Sequence, residues 1–222
     1  MKCYYLFLAF MLTFYFSSAQ TQGEFRMLNN QAFPPLPLPP GTLVKTPRYD
    51  YVKGNAYAFD GWKKADLTLQ NGKVFNAINV KLNLVDESVI FEGQDQTEMV
   101  LNLPLSHITF VNGSTYKTIN VNNESGLYEV LEQGTITVLK HSKKTVMESK
   151  GYNEVTEKRF TLTTKYYLNK DQNFQEIKLD KKSVANALIA LGVTSTAASD
   201  AKFNLKKEED IIAVIRNINQ GI

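Results

Sequence analysis

Apolar side chains at every second position, broken by pairs that tolerate positive φ, constrain this chain most. Leu67 and Leu69 alternate with Thr68 and Gln70, and Asn71-Gly72 follows. That spacing predicts a strand with one wet face, closed by a type I′ turn. Val74, Asn76, Ile78, Val80, Leu82 and Leu84 then occupy one side of a returning strand, with Asn76 the polar exception. Shorter candidates follow at close intervals: Ser88 to Glu92, Glu98 to Leu103 before Pro104, and Ile108 to Val111 before Asn112-Gly113. Thr115 to Val121 returns. Leu127 to Glu132 and Thr135 to Lys140 flank Gln133-Gly134 as a third hairpin. Lys143 to Lys158 is polar and mixed in charge, and reads as a loop or the tip of a long hairpin. The strand around Phe160 to Leu168 turns at Asn169–Asn173, and Phe174 to Leu179 returns. The expected fold is mainly β (α+β): an antiparallel meander, sandwich or partly open barrel.

The tail changes period. Val184, Ala187, Leu188 and Leu191 fall at helical spacing, with Asp180 placed to cap and Gly192 to stop the helix. Ser195 to Lys202 has the composition of a further short helical turn. Lys206 to Gln220 places Ile211, Ile215 and Ile218 on one row, continued by Ile222. Glu208, Glu209 and Asp210 lie in its first turn, where the helix dipole favours negative charge. Consecutive helix positions do not converge on one ion, so these acids read as dipole complement rather than a metal site. The expectation is two or three C-terminal helices packed on the sheet.

The N-terminal end has the three parts of an export signal. Lys2 supplies a positive start, Tyr4 to Phe16 is almost wholly apolar, and Ser17-Ser18-Ala19 offers small residues before Gln20. The apolar run is shorter than the roughly 20 residues of a membrane-spanning helix. Cys3, the only cysteine, precedes that run, so it is misplaced for lipoprotein attachment. The mature chain then has no thiol, and its stability rests on burial and backbone pairing. Five of the seven prolines lie between Phe33 and Gly41, which predicts an extended polyproline II spacer. The expected organisation is a signal peptide over 1–19, a Pro-rich leader over 20–48, an antiparallel β domain over 49–179 and a helical segment over 180–222.

Chemistry is sparse. Net charge is +3, and loss of Lys2 with the leader lowers it by one. No stretch clusters arginine with aromatics, which argues against nucleic acid. Only His107 and His141 are histidines, and neither has a ligand-spaced neighbour. No zinc-protease helix motif, nucleophile elbow or phosphate-cradling glycine loop is present. Asp60 and Asp86-Glu87 lie near turns, and a carboxylate pair for hydrolysis would need folding to unite two acids. Asn112-Gly113-Ser114 and Asn123-Glu124-Ser125 fit the N-glycosylation pattern. An aromatic-rich entry, Tyr49 to Trp62, reads as core filling or as a stacking surface. Tyr57, Phe59 and Trp62 are its candidate ligand contacts.

Four stretches carry a resemblance: Ser17-Ser18-Ala19-Gln20, Asp66-Leu67-Thr68-Leu69-Gln70-Asn71-Gly72, Leu127 through Gly134, and Lys206-Lys207-Glu208-Glu209-Asp210-Ile211-Ile212. Over about Gly54 to Asn219 the chain resembles a class of uncharacterised exported proteins of Bacteroidetes-type bacteria. That resemblance implies a Gram-negative envelope, periplasm or cell exterior, and carries over no activity.

The functional expectation is therefore a non-enzymatic envelope binding or scaffolding module, without a cofactor. Its partner would be a lipid, a glycan or a protein. The alternatives are a carrier with an apolar cavity lined by residues such as Ile78, Val80 and Leu82 under a helical lid, and a hydrolase with paired carboxylates. Export predicts a mature N-terminus at Gln20. Intact-mass measurement of the secreted protein checks this, and a retained Cys3 refutes it.

Overall fold

The structure is a computed structural model and describes residues 38–44, 49, 51–149, 156–193 and 205–221. All fall within one compact unit, 35–222. The export signal, the leader before residue 38 and the helical turn predicted near 195–202 lie outside the described residues.

Among the described residues twelve strands form one sheet. In chain order they are β1 (Gly41–Leu43), β2 (Val52–Lys53), β3 (Lys63–Leu69), β4 (Val74–Asn83), β5 (Ser88–Glu92), β6 (Glu98–Leu101), β7 (Leu105–Phe110), β8 (Thr115–Val121), β9 (Glu124–Glu132), β10 (Thr137–Ser149), β11 (Glu157–Lys170) and β12 (Asn173–Ile177). Their spatial order is β1-β6-β5-β4-β3-β7-β8-β9-β10-β11-β12, antiparallel throughout. β2 joins β11 in parallel, which makes the sheet mixed. The fold is mainly β, and the sheet does not close on itself.

One connection bends it. On a flat sheet β6 and β7 would lie four strand spacings apart, about 19 Å. The link from Leu101 to Leu105 reaches at most about 14 Å. The β3–β6 wing must therefore curl until β6 lies back toward β3 and β7. Pro104, in that link, accepts the Gln70 N–H through its carbonyl at 2.9 Å. The concave side of the curl is the first core. Leu67, Phe75, Val80, Leu82, Phe91 and Ile108 are all at most 1% exposed there, with Met99, Leu101 and Leu103 packed against them.

The turns differ from the type I′ expectation at Asn71-Gly72. Gly72 has φ +83°, and Asn71 is not in the left-handed region. The Gly72 N–H reaches the Leu69 carbonyl, and Leu69 N–H the Lys73 carbonyl. This is a three-residue loop, a type I turn followed by a glycine bulge. Asn71 still serves it, because its Oδ1 accepts the Lys73 N–H at 3.0 Å. Asn112-Gly113 repeats the arrangement between β7 and β8. Two-residue turns with positive φ at both positions occur at Asp95-Gln96, Asn122-Asn123 and Asp171-Gln172.

The alternating row of β4 is also interrupted. Ala77 takes φ +55°, and Leu67 pairs Phe75 while Ala65 pairs Ile78. Two residues, Asn76 and Ala77, thus oppose one on β3, a β-bulge. The bulge puts Phe75 in the core in place of Val74 and Asn76, which are exposed. Asp66 Oδ1 accepts the displaced Ala77 N–H at 2.8 Å, so the bulge leaves no donor stranded there.

Three other boundaries move. The sheet begins at Gly41–Leu43, inside the span predicted as leader, because that segment pairs with β6. β6 stops at Leu101, short of Leu103. The polar stretch read as loop or hairpin tip is largely strand. β10 and β11 pair continuously from Thr137↔Asn169 to Ser149↔Glu157, and residues 150–155 lie outside the described set. Beyond His141 and Tyr166 this hairpin runs past β9 and β12 as a ribbon, joined near its far end by β2 at Lys158 and Arg159.

Among the described residues two helices follow, α1 (Lys181–Ala190) and α2 (Glu208–Asn219). Asp180 caps α1 by accepting the Ser183 N–H at 2.7 Å. Gly192, at φ +67°, ends it with Gly192 N–H to Ile189 and Val193 N–H to Leu188, a Schellman stop. Val184, Leu188, Ile211, Val214 and Ile215 bury against Ile136, Val138, Leu168 and Ile177 as a second core. A third, smaller cluster (Val121, Tyr128, Leu139, Tyr167) lies elsewhere on β8–β11.

Asn219 ties α2 to the sheet. Its Oδ1 accepts the Ile136 N–H at 2.8 Å and its Nδ2 donates to the Ile136 carbonyl at 2.9 Å. Ile136 is 1% exposed, so neither backbone group has water to fall back on. Asn219→Ala is expected to lower stability by about 1–3 kcal/mol. Urea unfolding measures this, and an unchanged midpoint would show that the tie contributes nothing.

Candidate functional site

Segment 54–62 is held in place by short-range polar contacts. Asn55 Oδ1 accepts the Tyr57 N–H at 3.1 Å, and its Nδ2 donates to Asp60 at 2.6 Å. Ala58 N–H then reaches the Leu82 carbonyl and Leu84 N–H the Ala56 carbonyl, each at 2.9 Å. Tyr57 is thereby laid antiparallel opposite Asn83. Lys144, on the β10–β11 ribbon, locks this segment from the other side. Its ammonium donates to the Tyr57 carbonyl at 2.6 Å and to both oxygens of Asn55 at 3.0 Å. Its own N–H reaches the Leu84 carbonyl at 2.8 Å. Burial pushes the Lys144 pKa down, with Asp60 opposing.

The curl decides where each aromatic goes. Along β4, Val80 and Leu82 enter the concave core, so Lys81 and Asn83 face the convex side. Tyr57 and Trp62 are brought together there around Lys81. The Lys81 ammonium sits 4.2 Å from the Trp62 ring centroid and 5.2 Å from that of Tyr57. It pairs with Glu98 of β6 at 2.6 Å. Phe59 is not part of this group. It packs on the concave core, edge-on to Phe110 with centroids 5.2 Å apart.

A cleft of about 1030 Å³ opens beside Tyr57. Its rings are Tyr57, Tyr49 and Phe160, the last two edge to face at 5.3 Å. Asn83, Ser88 and Thr97 supply polar uncharged groups, Ile90 and Val100 apolar floor, and Asp86 and Glu98 the charge. Burial raises the Tyr57 pKa, helped by Glu98, Tyr49 and Asp86. Asp86 accepts from the Ser88 N–H at 3.2 Å and from the Ser88 hydroxyl at 2.7 Å.

A second depression, about 300 Å³, adjoins the β4–β5 loop. Glu87 stands there with φ +55° and its Oε1 lies 2.5 Å from His141 Nε2. Both side chains are more than four-fifths buried, at 17% and 15% exposure. His141 stacks on Tyr128 at 4.5 Å. Gly126 allows this packing, because a Cβ there would lie 2.9 Å from Glu87 Oε1 and 3.0 Å from His141 Nε2. Glu87 and His141 are 54 residues apart, so no local spacing announces the pair. His107 Nδ1 lies 3.3 Å from the Ser106 hydroxyl.

The remaining sequence candidates take structural partners. Glu208, in the first turn of α2, accepts from Tyr166 at 2.9 Å and pairs with Lys140 at 3.0 Å. Burial, with that carboxylate, pushes the Tyr166 pKa up to about 12. Among the described residues no group of three or more His, Cys, Asp and Glu is set to hold a metal. Nor, among them, is any helix long and apolar enough to cross a membrane. No protein-family model, no curated protein and no solved structure matches this chain.

Burial works to raise the Glu87 pKa, but the hydrogen bond and charge of His141, with the Leu127 N–H and Lys143, outweigh it and hold it below 4.5. A carboxylate depressed on folding contributes stability above its unfolded value and loses it as pH falls through its folded value. Between about pH 5 and pH 3 the protein should therefore lose stability faster than its Glu87→Gln variant. Urea midpoints across that range test this, and parallel curves would contradict it.

Proposed function

We propose that the chain is an exported binding module of the bacterial cell envelope that holds a glycan in the cleft beside Tyr57. The export signal and the resemblance to exported Bacteroidetes-type proteins support the location. The cleft carries the binding reading: it is open, large enough for several sugar units, and combines rings with amide and hydroxyl side chains. Sugars present apolar C–H faces and hydroxyl edges, and such a lining answers both. Tyr57 is the central contact, with Lys144 and Asn55 holding its backbone. Trp62 stands one side chain away across Lys81.

The other readings have less behind them. A carrier needs open space at Ile78, Val80 and Leu82, and those side chains are at most 3% exposed and packed in the first core. The α1 and α2 faces are spent on the second core rather than on a lid. A hydrolase draws on Asp86 and Glu98, which line one cleft. Both are already engaged, Glu98 by Lys81 at 2.6 Å and Asp86 by the Ser88 N–H and hydroxyl.

Trp62 is the chain's single tryptophan and reports on the site. Titration with envelope-derived oligosaccharides should change its fluorescence, and lipid vesicles should not. Tyr57→Ala should weaken binding about tenfold, equivalent to about 1.4 kcal/mol, with little change in the unfolding midpoint. Undiminished affinity in that variant would remove the cleft as the site.

A further inference from the structure

We infer that the glycan site continues from the cleft over the β4–β5 turn into the second depression, so that its ligand is a linear saccharide chain that crosses this turn. The inference rests on the glycan reading and adds the length and path of the ligand. Asp86 and Ser88 line the cleft and the depression alike, so a single turn parts the two. The depression, at about 300 Å³, adds to the roughly 1030 Å³ of the cleft. It lies at the small end of the range in which proteins hold small ligands.

The depression is where the first core comes nearest to the surface. Val89 and Leu105 at 7% exposure and Leu127 at 9% are the most exposed buried members of that core, and all three line it. Along β8 and β9 the same face then changes character. Tyr116 packs on the core, and two residues on Thr118 is exposed. Leu127 is buried, and two residues back Ser125 is exposed. Thr118 pairs with Leu127 and Asn120 with Ser125, so the two hydroxyl-bearing side chains share one face with Leu127. Both line the depression. A leucine floor beside hydroxyl groups offers a sugar apolar surface for its C–H face and donors and acceptors for its edge.

The turn between the two hollows is fixed from several sides. Glu87 takes φ +55°, a left-handed conformation that costs a residue with a side chain about 1–2 kcal/mol. His141 holds it there, with Nε2 2.5 Å from Glu87 Oε1, helped by the Leu127 N–H and by Lys143, each at 3.4 Å. Gly126 leaves the carboxylate room over β9. Asn83 Oδ1 accepts the Val85 N–H at 2.9 Å, and Asp86 accepts from the Ser88 N–H and hydroxyl. A wall set in this way keeps cleft and depression aligned before a ligand arrives, which lowers the ordering cost of binding a long chain.

The test uses linear oligosaccharides of glucose and of N-acetylglucosamine, each as a series from the disaccharide to the hexasaccharide. They are titrated into the full protein with Trp62 fluorescence and calorimetry as readouts. Within a series that binds, affinity should climb about tenfold or more from the short to the long end. Ser125→Leu and Thr118→Leu each fill the depression from an exposed strand position outside the cleft, so a folding defect in one does not decide the outcome. Both should remove the gain of the long oligomers and leave disaccharide affinity as it was. Tyr57→Ala, in the cleft, should instead weaken every member of the series. Equal affinity for short and long oligomers, or a length gain that survives both leucine variants, would overturn the path across the turn and leave the cleft standing. Failure of every oligomer to bind would overturn the glycan reading with it.

Discussion

Because Asn102–Pro104 is too short to cross four strand widths, β6 must fold back over β3 and β7, and the curl that follows sorts nearly every side chain of the first wing. Phe75, Val80, Leu82 and Phe91 fall on its inside, and dispersion and water exclusion hold them there. Lys81, Asn83 and Glu98 fall on the outside. A flatter sheet would leave the same apolar row half exposed and would not set a polar convex face against segment 54–62. The cleft is thus a by-product of the geometry that makes the core.

Once the curl exists, a few polar contacts decide what the convex face presents. Lys144 reaches from the ribbon to three oxygens of segment 55–57, and Asn55 fixes the same segment from within. The bulge at Ala77 matters here too. Without that extra residue the register would slip, and Lys81 would enter the core as Val80 left it. Asp66 meets the exposed N–H of the bulge, which removes the main penalty of having one. The Glu87–His141 pair does comparable work at the neighbouring loop, since it joins the β4–β5 turn to β10 beneath Tyr128.

Legibility in the chain follows the range of the interaction. The strand alternation, the Asp180 cap, the Gly192 stop and the acidic first turn of α2 depend on residues within one turn or one hairpin, and all are visible in order. Asn71-Gly72 and Asn112-Gly113 are visible as turns, but their type is not. The same dipeptide serves a two-residue or a three-residue loop, and the choice depends on the register of both flanking strands. Tyr57 and Trp62 are legible as an aromatic pair. That Phe59 leaves them for the core, and that Lys81 enters between them, depends on the face each residue meets after the sheet bends. Glu87–His141 has no sequence signal apart from the chemical types of its members.

From its residues alone this chain is committed to a mainly antiparallel sheet with apolar helices after it, because side-chain periodicity and turn chemistry act over a few residues. Where the sheet bends, which rings face the cleft and which acid meets which base belong to the tertiary structure. Those outcomes depend on distances between segments 17 to 87 residues apart, and such distances exist only once the backbone has closed on its cores.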